Sequence, residues 1–279
     1  MTAINGPGVY PDIPDDVYHA DPVLHLGGSL SSTGARKLLD CPARFEYDRR
    51  QPTHTSDEFD LGHAAHRDAL GTGVEFEVCD FPTWGSNKAK EAKAAARAAG
   101  RTPLKPDQFA QVEQMGIALR KHPTAGPMFE RGLGQSELTL IWQDDSTGVW
   151  CRARLDRWID PFIVDYKTTT DASPDKFRWA VEDHGYHIQR SFYLRGAHAL
   201  GLDPAEFLFV AQEKKPPYFV GLYRISARSA RIGDLLVQAA LERYRDCTAS
   251  GLWPGYSTEV ETLTLSPRAQ RKVYALDAA

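Results

Sequence analysis

Short apolar-rich runs cover 135–142, 148–159, 162–168, 206–213 and 218–225, separated mostly by turn signals such as Asp144-Asp145-Ser146 and Pro216-Pro217. Runs of this length and composition predict strands. A helix is predicted over 186–200, between the third and fourth runs. A longer amphipathic helix follows over 228–247, with Ile232, Leu235, Leu236, Ala239, Leu241 and Tyr244 available for burial.

The first half of the chain reads differently. Residues 1–29 are rich in Pro, Gly, Asp and His and predict an extended arm with little regular structure. Ser31 or Ser32 caps a helix that runs through Leu38-Leu39 and breaks near Cys41-Pro42, and a short segment follows over 43–47. Further helices are predicted over 61–70, over the Ala- and Lys-rich 86–98 ending at Gly100, and over 106–121. The last of these carries Phe109, Val112, Met115 and Leu119 on one face. No element is assigned from Trp253 on. Helices followed by a hairpin-rich sheet crossed by a helix predict an α/β domain over 30–279. Its helical part is 30–130, its sheet core 135–225 and its C-terminal helix 228–247.

Composition narrows the class only a little. The 279 residues are 42% hydrophobic and 25% charged, as in ordinary globular proteins. No apolar run approaches the roughly 20 residues that cross a bilayer, and the N-terminus lacks the pattern of a signal peptide. The lack of such a run predicts no membrane association, and Cys41, Cys79, Cys151 and Cys247, which form no close pair, predict a reducing cytoplasm. A formal net charge of −4 does not advertise a nucleic-acid binder, although a groove can be locally basic. Lys88, Lys90, Lys93, Arg97, Arg101 and Lys105 form one basic run, which taken alone is a solvated helix face.

The chemistry concentrates in Asp165-Tyr166-Lys167, with Asp156 nine residues upstream. Residues two apart on a strand share a face, so Asp165 and Lys167 point together and Tyr166 points away. A hairpin turning at Asp160-Pro161 brings Asp156 opposite Asp165. Facing carboxylates repel, and a divalent cation between them removes the conflict and creates a site for phosphate chemistry. Asp156 and Asp165 supply hard ligands for Mg²⁺ or Mn²⁺, and the backbone carbonyl of Tyr166 a third. Lys167 is the adjacent cation, able to polarise water or phosphate, or to act as a base if its pKa falls. Arg152 and Arg154 alternate on the Asp156 face, where they pair with carboxylates or meet phosphate.

Asp156…Asp165-Tyr166-Lys167 resembles the core of the PD-(D/E)xK nuclease superfamily. Gly62-His63-Ala64-Ala65-His66 is similar to the Gly-x-x-x-His element of its RecB-like branch, and Gln189-Arg190-Ser191-Phe192-Tyr193 to its Gln-x-x-x-Tyr element. Tyr18-His19, with Ser31-Ser32-Thr33-Gly34 through Phe45, resembles the opening of RecE-type (exonuclease VIII) phage enzymes. The resemblance implies a restriction-endonuclease-like fold, a central mixed sheet flanked by helices with a helical N-terminal portion. It implies His66 as a further metal ligand, with His63 its rival, and Gln189 and Tyr193 against the DNA backbone. It also makes Glu137 a candidate for assisting a second metal or a water, against a plain strand-edge glutamate. Tyr193 fits equally well as a half-buried helix residue. A His63–His66 zinc pair lacks further ligands at suitable spacing.

The function so implied is a Mg²⁺-dependent DNA exonuclease that degrades one strand from a duplex end, leaving a tail for a separate annealing protein. Homo-oligomeric rings occur in that group. Some RecB-like nucleases hold an iron–sulfur cluster on one early and three late cysteines. Only Cys247 lies late here, so none is expected. The sequence has no phosphate-binding Gly-x-x-x-x-Gly-Lys-[Ser/Thr] loop for a helicase motor. The alternatives are an endonuclease or single-strand trimming enzyme, a DNA-binding module that does not cut, and a metalloprotein unrelated to nucleic acid.

Overall fold

The computed structural model describes residues 4–51 and 57–267, with side chains described from Asp60 after the gap. In chain order the elements are β1 (Gly8–Tyr10), α1 (Asp15–His19), α2 (Ser32–Asp40), α3 (Pro42–Asp48) and α4 (Asp57–Leu70). Next come β2 (Phe76–Val78), α5 (Asn87–Ala98), β3 (Thr102–Leu104), α6 (Pro106–Lys121) and α7 (Ala125–Met128). The second half holds β4 (Gln135–Gln143), β5 (Trp150–Ile159), β6 (Phe162–Thr169), α8 (Pro174–Asp183), α9 (Tyr186–Ala199), β7 (Glu206–Glu213), β8 (Val220–Tyr223) and α10 (Ala227–Ser250).

The central sheet is six-stranded in the order β1-β4-β5-β6-β7-β8. The β6–β7 pair is parallel and the other pairs are antiparallel, so the sheet is mixed as expected. A parallel neighbour requires a crossover, and α8 and α9 make it. On one face, Phe192 and Tyr193 of α9 and Val237 and Leu241 of α10 pack against Leu140, Trp142, Ala153 and Phe209. On the other, Ala65 and Ala69 of α4 and Met115 and Leu119 of α6 pack against Val164, Tyr166 and Val210. Strand β6 contributes to both cores because its side chains alternate: Ile163 enters the first, Val164 and Tyr166 the second.

Local chemistry accounts for the helix starts. Ser31 caps α2 by accepting from Gly34 N at 3.1 Å, and Ser86 caps α5 by accepting from Ala89 N at 3.1 Å. Pro106 opens α6, where a missing N–H costs nothing.

Two expectations need correction. The arm over 1–29, predicted to hold little regular structure, adds β1 to the sheet edge, with Val9 opposite Leu140, and forms α1. Ile4 and Val23 bury against Ile141. Their spacing carries no period, because the arm takes its order from β4 rather than from its own pattern. In α10 the buried line is Ala230, Gly233, Val237, Ala240, Leu241, Tyr244 and Cys247, whereas Ile232 is 48% and Leu235 64% exposed and Ala239 is also exposed. Leu241 and Tyr244 are buried as expected, but close approach to α9 puts Gly233 on the inner face and leaves Ile232 and Leu235 outside. A methyl group on Gly233 would overlap the carbonyl oxygen of His187. Gly233→Ala is therefore expected to destabilise the fold by about 1–3 kcal/mol, as overpacking does. Urea denaturation checks this, and an unchanged midpoint would show that the two helices are not in tight contact.

Candidate active site

Strands β5 and β6 leave the Asp160-Pro161 turn paired as Ile159↔Phe162, Trp158↔Ile163 and Arg157↔Val164. The next pair in this register is Asp156 with Asp165, but the ladder stops one step short and the strands part. Into the fork goes the Asp156 carboxylate, whose Oδ2 accepts the Tyr166 N–H at 2.8 Å. The N–H and C=O of a strand residue leave by the same edge, so the Tyr166 carbonyl also faces the fork. Asp165 is fully buried on the α9 side. Its Oδ1 accepts from Gln189 Nε2 at 2.7 Å, and its Oδ2 lies 2.5 Å from Lys167 Nζ. That ammonium group sits 5.1 Å from the centre of the Tyr186 ring, in the first turn of α9. The Tyr166 phenol points to the opposite face and donates to buried Gln212 at 2.6 Å, anchoring β6 to β7.

His66, on α4, reaches the fork from the other core. Its Nε2 is 3.0 Å from Asp156 Oδ2 and its Nδ1 is 3.3 Å from Glu137 Oε1. Glu137 lies across from Asp156, between the pairs Ser136↔Arg157 and Leu138↔Leu155, and its φ of +55° is a left-handed value rare for a non-glycine residue. This local break in β4 accompanies the turn of its carboxylate toward His66. His63, the rival one turn earlier, is exposed.

Burial and close charge set the protonation states. Burial pushes Asp165 up to about 6; Lys167 opposes this and the Asp156 charge adds to it. Burial raises Glu137 to about 7 despite the facing His66. Burial disfavours charge on His66, but Asp156 and then Glu137 outweigh it and lift the imidazole to about 9. Asp156 ends below its ordinary value, since His66 and Lys167 overcome its desolvation. Burial lowers Lys167, yet Asp165 and Asp156 hold it above the usual lysine value. It is therefore an ammonium group at neutral pH.

The structure brings together Asp156, Asp165, Lys167, Tyr166, His66, Glu137 and Gln189. Arg154 meets this group at Glu137, with Nη1 3.5 Å from Oε2, whereas Arg152 pairs away from it. Tyr193 packs against Phe207 in the core, and its hydroxyl pairs with the Gln189 side chain at the border of the group. Arg152 donates to the Ser29 carbonyl at 2.8 Å and pairs with Asp21 at 3.2 Å. Arg154 pairs with Asp15 at 3.2 Å, and both guanidinium groups lie near the Tyr18 ring. The sequence reading did not single out Asp15, Tyr186 or Gln212. An isolated acid in an irregular segment, a helix-start tyrosine and a strand glutamine carry no pattern of their own.

A divalent ion can be tested against these residues. Among the described residues no cluster of three or more His, Cys, Asp or Glu side chains forms a ready-made metal cage. His66 is hydrogen-bonded to Asp156 instead. Asp165 Oδ2, however, is buried without a hydrogen bond of acceptable geometry, although Lys167 lies against it. The ammonium group offsets its charge, but no N–H or O–H reaches its lone pairs in good geometry. With the Asp156 carboxylate, the His66 imidazole and the Tyr166 carbonyl nearby, the donors are mostly the hard oxygen type that suits Mg²⁺ or Mn²⁺. The residues fit the ion.

Residues 31–266 match the profile of the family described as "PDDEXK-like domain of unknown function (DUF3799)". The chain belongs to this family. No curated protein matches the sequence. Among solved structures, this PDDEXK-like chain resembles a protein from Eubacterium rectale described as "Putative exonuclease". The TM-score is 0.60 at 13% identity, covering 87% of this chain and 92% of that one. At that identity the likeness shows the fold, which is restriction-endonuclease-like.

The electrostatics give a pH dependence for the PDDEXK-like chain in EDTA. His66 is held above its usual 6.5, so its contribution to stability is complete below pH 6.5 and is lost as pH rises through about 9. The melting midpoint is expected to fall across that window, and His66→Gln to flatten the fall. A midpoint that holds level in the native chain between pH 6.5 and 9 would contradict the His66–Asp156 pairing.

Proposed function

We propose that this PDDEXK-like nuclease is a metal-dependent exodeoxyribonuclease, degrading one strand of linear duplex DNA from an end to leave single-stranded tails for recombination. The observation that carries the reading is the convergence at one strand fork of half-buried Asp156, fully buried Asp165 and the Lys167 ammonium group. The order of the accompanying motifs along the chain, with His66 and Gln189 both reaching that fork, supports the exonuclease branch. So does the description of the structural neighbour.

Asp156, Asp165, the Tyr166 carbonyl and His66 would hold Mg²⁺ or Mn²⁺, which when bound supplies Lewis-acid stabilisation of phosphoryl oxygens and an acidified water. Gln189 fixes the rotamer of Asp165 by donating to Oδ1, which turns Oδ2 toward Lys167. Lys167, held protonated by the two aspartates, acts as a charge donor toward the phosphate rather than as a proton acceptor. Without metal, the protonated His66 favours the ionised form of Asp156; as a ligand it would be the neutral imidazole. The partners in this reading are duplex DNA ends and a single-strand annealing protein. Affinity resting on phosphate contacts should fall steeply with salt.

Incubation with end-labelled linear duplex and covalently closed circular DNA, with and without EDTA, tests the reading. Loss of the linear substrate only, and only with free metal, is expected. Cutting of the circle would make the enzyme an endonuclease, and DNA binding with no cutting would make it a non-cutting module. Asp165→Ala is expected to abolish cleavage while DNA binding survives. Lys167→Ala should lower turnover by roughly 10²–10³-fold, the usual cost of removing one charge-stabilising donor. Retention of the full rate would remove that lysine from the chemistry.

A further inference from the structure

The family match starts at residue 31, yet residues before it reach the edge of the candidate centre. Arg154 is 8% exposed, and its guanidinium is gripped from the N-terminal arm. Nη1 lies 3.2 Å from Asp15 Oδ1, Nη2 donates to the Ile13 carbonyl at 2.8 Å, and the group's carbon sits 4.2 Å from the Tyr18 ring centre. Nε is 3.3 Å from Thr139 Oγ1 on the neighbouring strand. The same Nη1 is 3.5 Å from Glu137 Oε2, whose partner oxygen faces His66.

That 3.5 Å separation is informative. An arginine free to move beside a carboxylate closes into a forked pair with bonds of about 2.7–2.9 Å. Here Asp15, the Ile13 carbonyl and Tyr18 hold the guanidinium on the arm side, so it meets Glu137 through Nη1 alone and closes no forked pair with it. The left-handed backbone at Glu137 independently marks a position held against its intrinsic preference. With its donors committed and its surface covered, Arg154 has little left to offer a phosphate.

We infer that the N-terminal arm is part of the catalytic centre: Asp15 restrains Arg154 so that the Glu137 carboxylate stays available to a divalent cation. Asp15 and Arg154 are then positioning residues, acting through Glu137. This rests on the nuclease reading and extends it to a segment outside the matched family region.

Calorimetric titration of the whole chain with Mn²⁺, without DNA, tests the inference. Asp15→Ala is compared with the native residue in both the Arg154 and the Arg154→Met backgrounds, and melting midpoints are recorded alongside. Asp15→Ala is expected to weaken Mn²⁺ binding about tenfold, the scale seen when a partner of a metal-binding side chain is lost. In the Arg154→Met background the same substitution should have little effect, because no guanidinium remains to close on Glu137. Asp15→Asn, which keeps the shape and loses the charge, gives the same comparison if the alanine variant does not fold. Unchanged affinity in the single variant, even with a lowered melting midpoint, would make the contact purely structural and overturn the inference, and so would an equal loss in both backgrounds, since an effect carried by Arg154 must vanish without the guanidinium. A native chain that binds no Mn²⁺ would defeat the nuclease reading as well, whereas native binding unaffected by Asp15 defeats the arm's role alone.

Discussion

The parting of β5 and β6 at Asp156 is the constraint on which the rest of the site depends. Had the ladder continued, Asp156 and Asp165 would face each other as an ordinary cross-strand pair, with two negative charges side by side. By separating there, the strands free the Tyr166 N–H from its ladder partner, and the Asp156 carboxylate takes it up. One side-chain acceptor thus replaces a backbone acceptor, and the buried N–H stays satisfied. The same step opens a gap edged by carboxylates and a backbone carbonyl.

Each group around the gap is held by an element of a different core. Gln189 and Tyr186 come from α9 on one face, and His66 comes from α4 on the other. Lys167 shares the α9 face with Asp165 because the two lie two residues apart on β6. The intervening Tyr166 is pinned on the far face by Gln212, which in turn donates to the Met115 carbonyl at 2.8 Å on α6. The rigidity of the site therefore derives from packing on both sides of one strand. Its charges alternate locally, with the His66 imidazole, the Lys167 ammonium and the Arg154 guanidinium set among Asp156, Asp165 and Glu137. The formal net charge of the whole chain does not describe it.

Membership of the PDDEXK-like family follows from a match over most of the chain, and the mixed sheet agrees with the fold of a remote structural neighbour. Neither bears on how the arm meets the sheet. Strand β1 and helix α1 cover the outer edge of β4 and bring Asp15 and Tyr18 over Arg154. Edge strands invite pairing, and here the chain's own N-terminal segment pairs with β4.

What the sequence by itself determined are features written in short-range periods. The strands over 135–142 and 206–213, the helix over 106–121 and the shared face of Asp165 and Lys167 follow from repeats of two or 3.6 residues. The turn at Asp160-Pro161 set the register from which Asp156 and Asp165 could be paired. Tertiary structure alone decided the end of that ladder, the left-handed conformation of Glu137, the docking of the arm, the burial of Tyr193 and the outward face of Ile232 and Leu235. Each of these depends on which segment arrives beside which, a relation between residues tens to more than a hundred positions apart that leaves no local period to read. Close approach of α9 and α10, for instance, placed Gly233 inside and its larger neighbours Ile232 and Leu235 outside, which bulk hydrophobicity does not suggest.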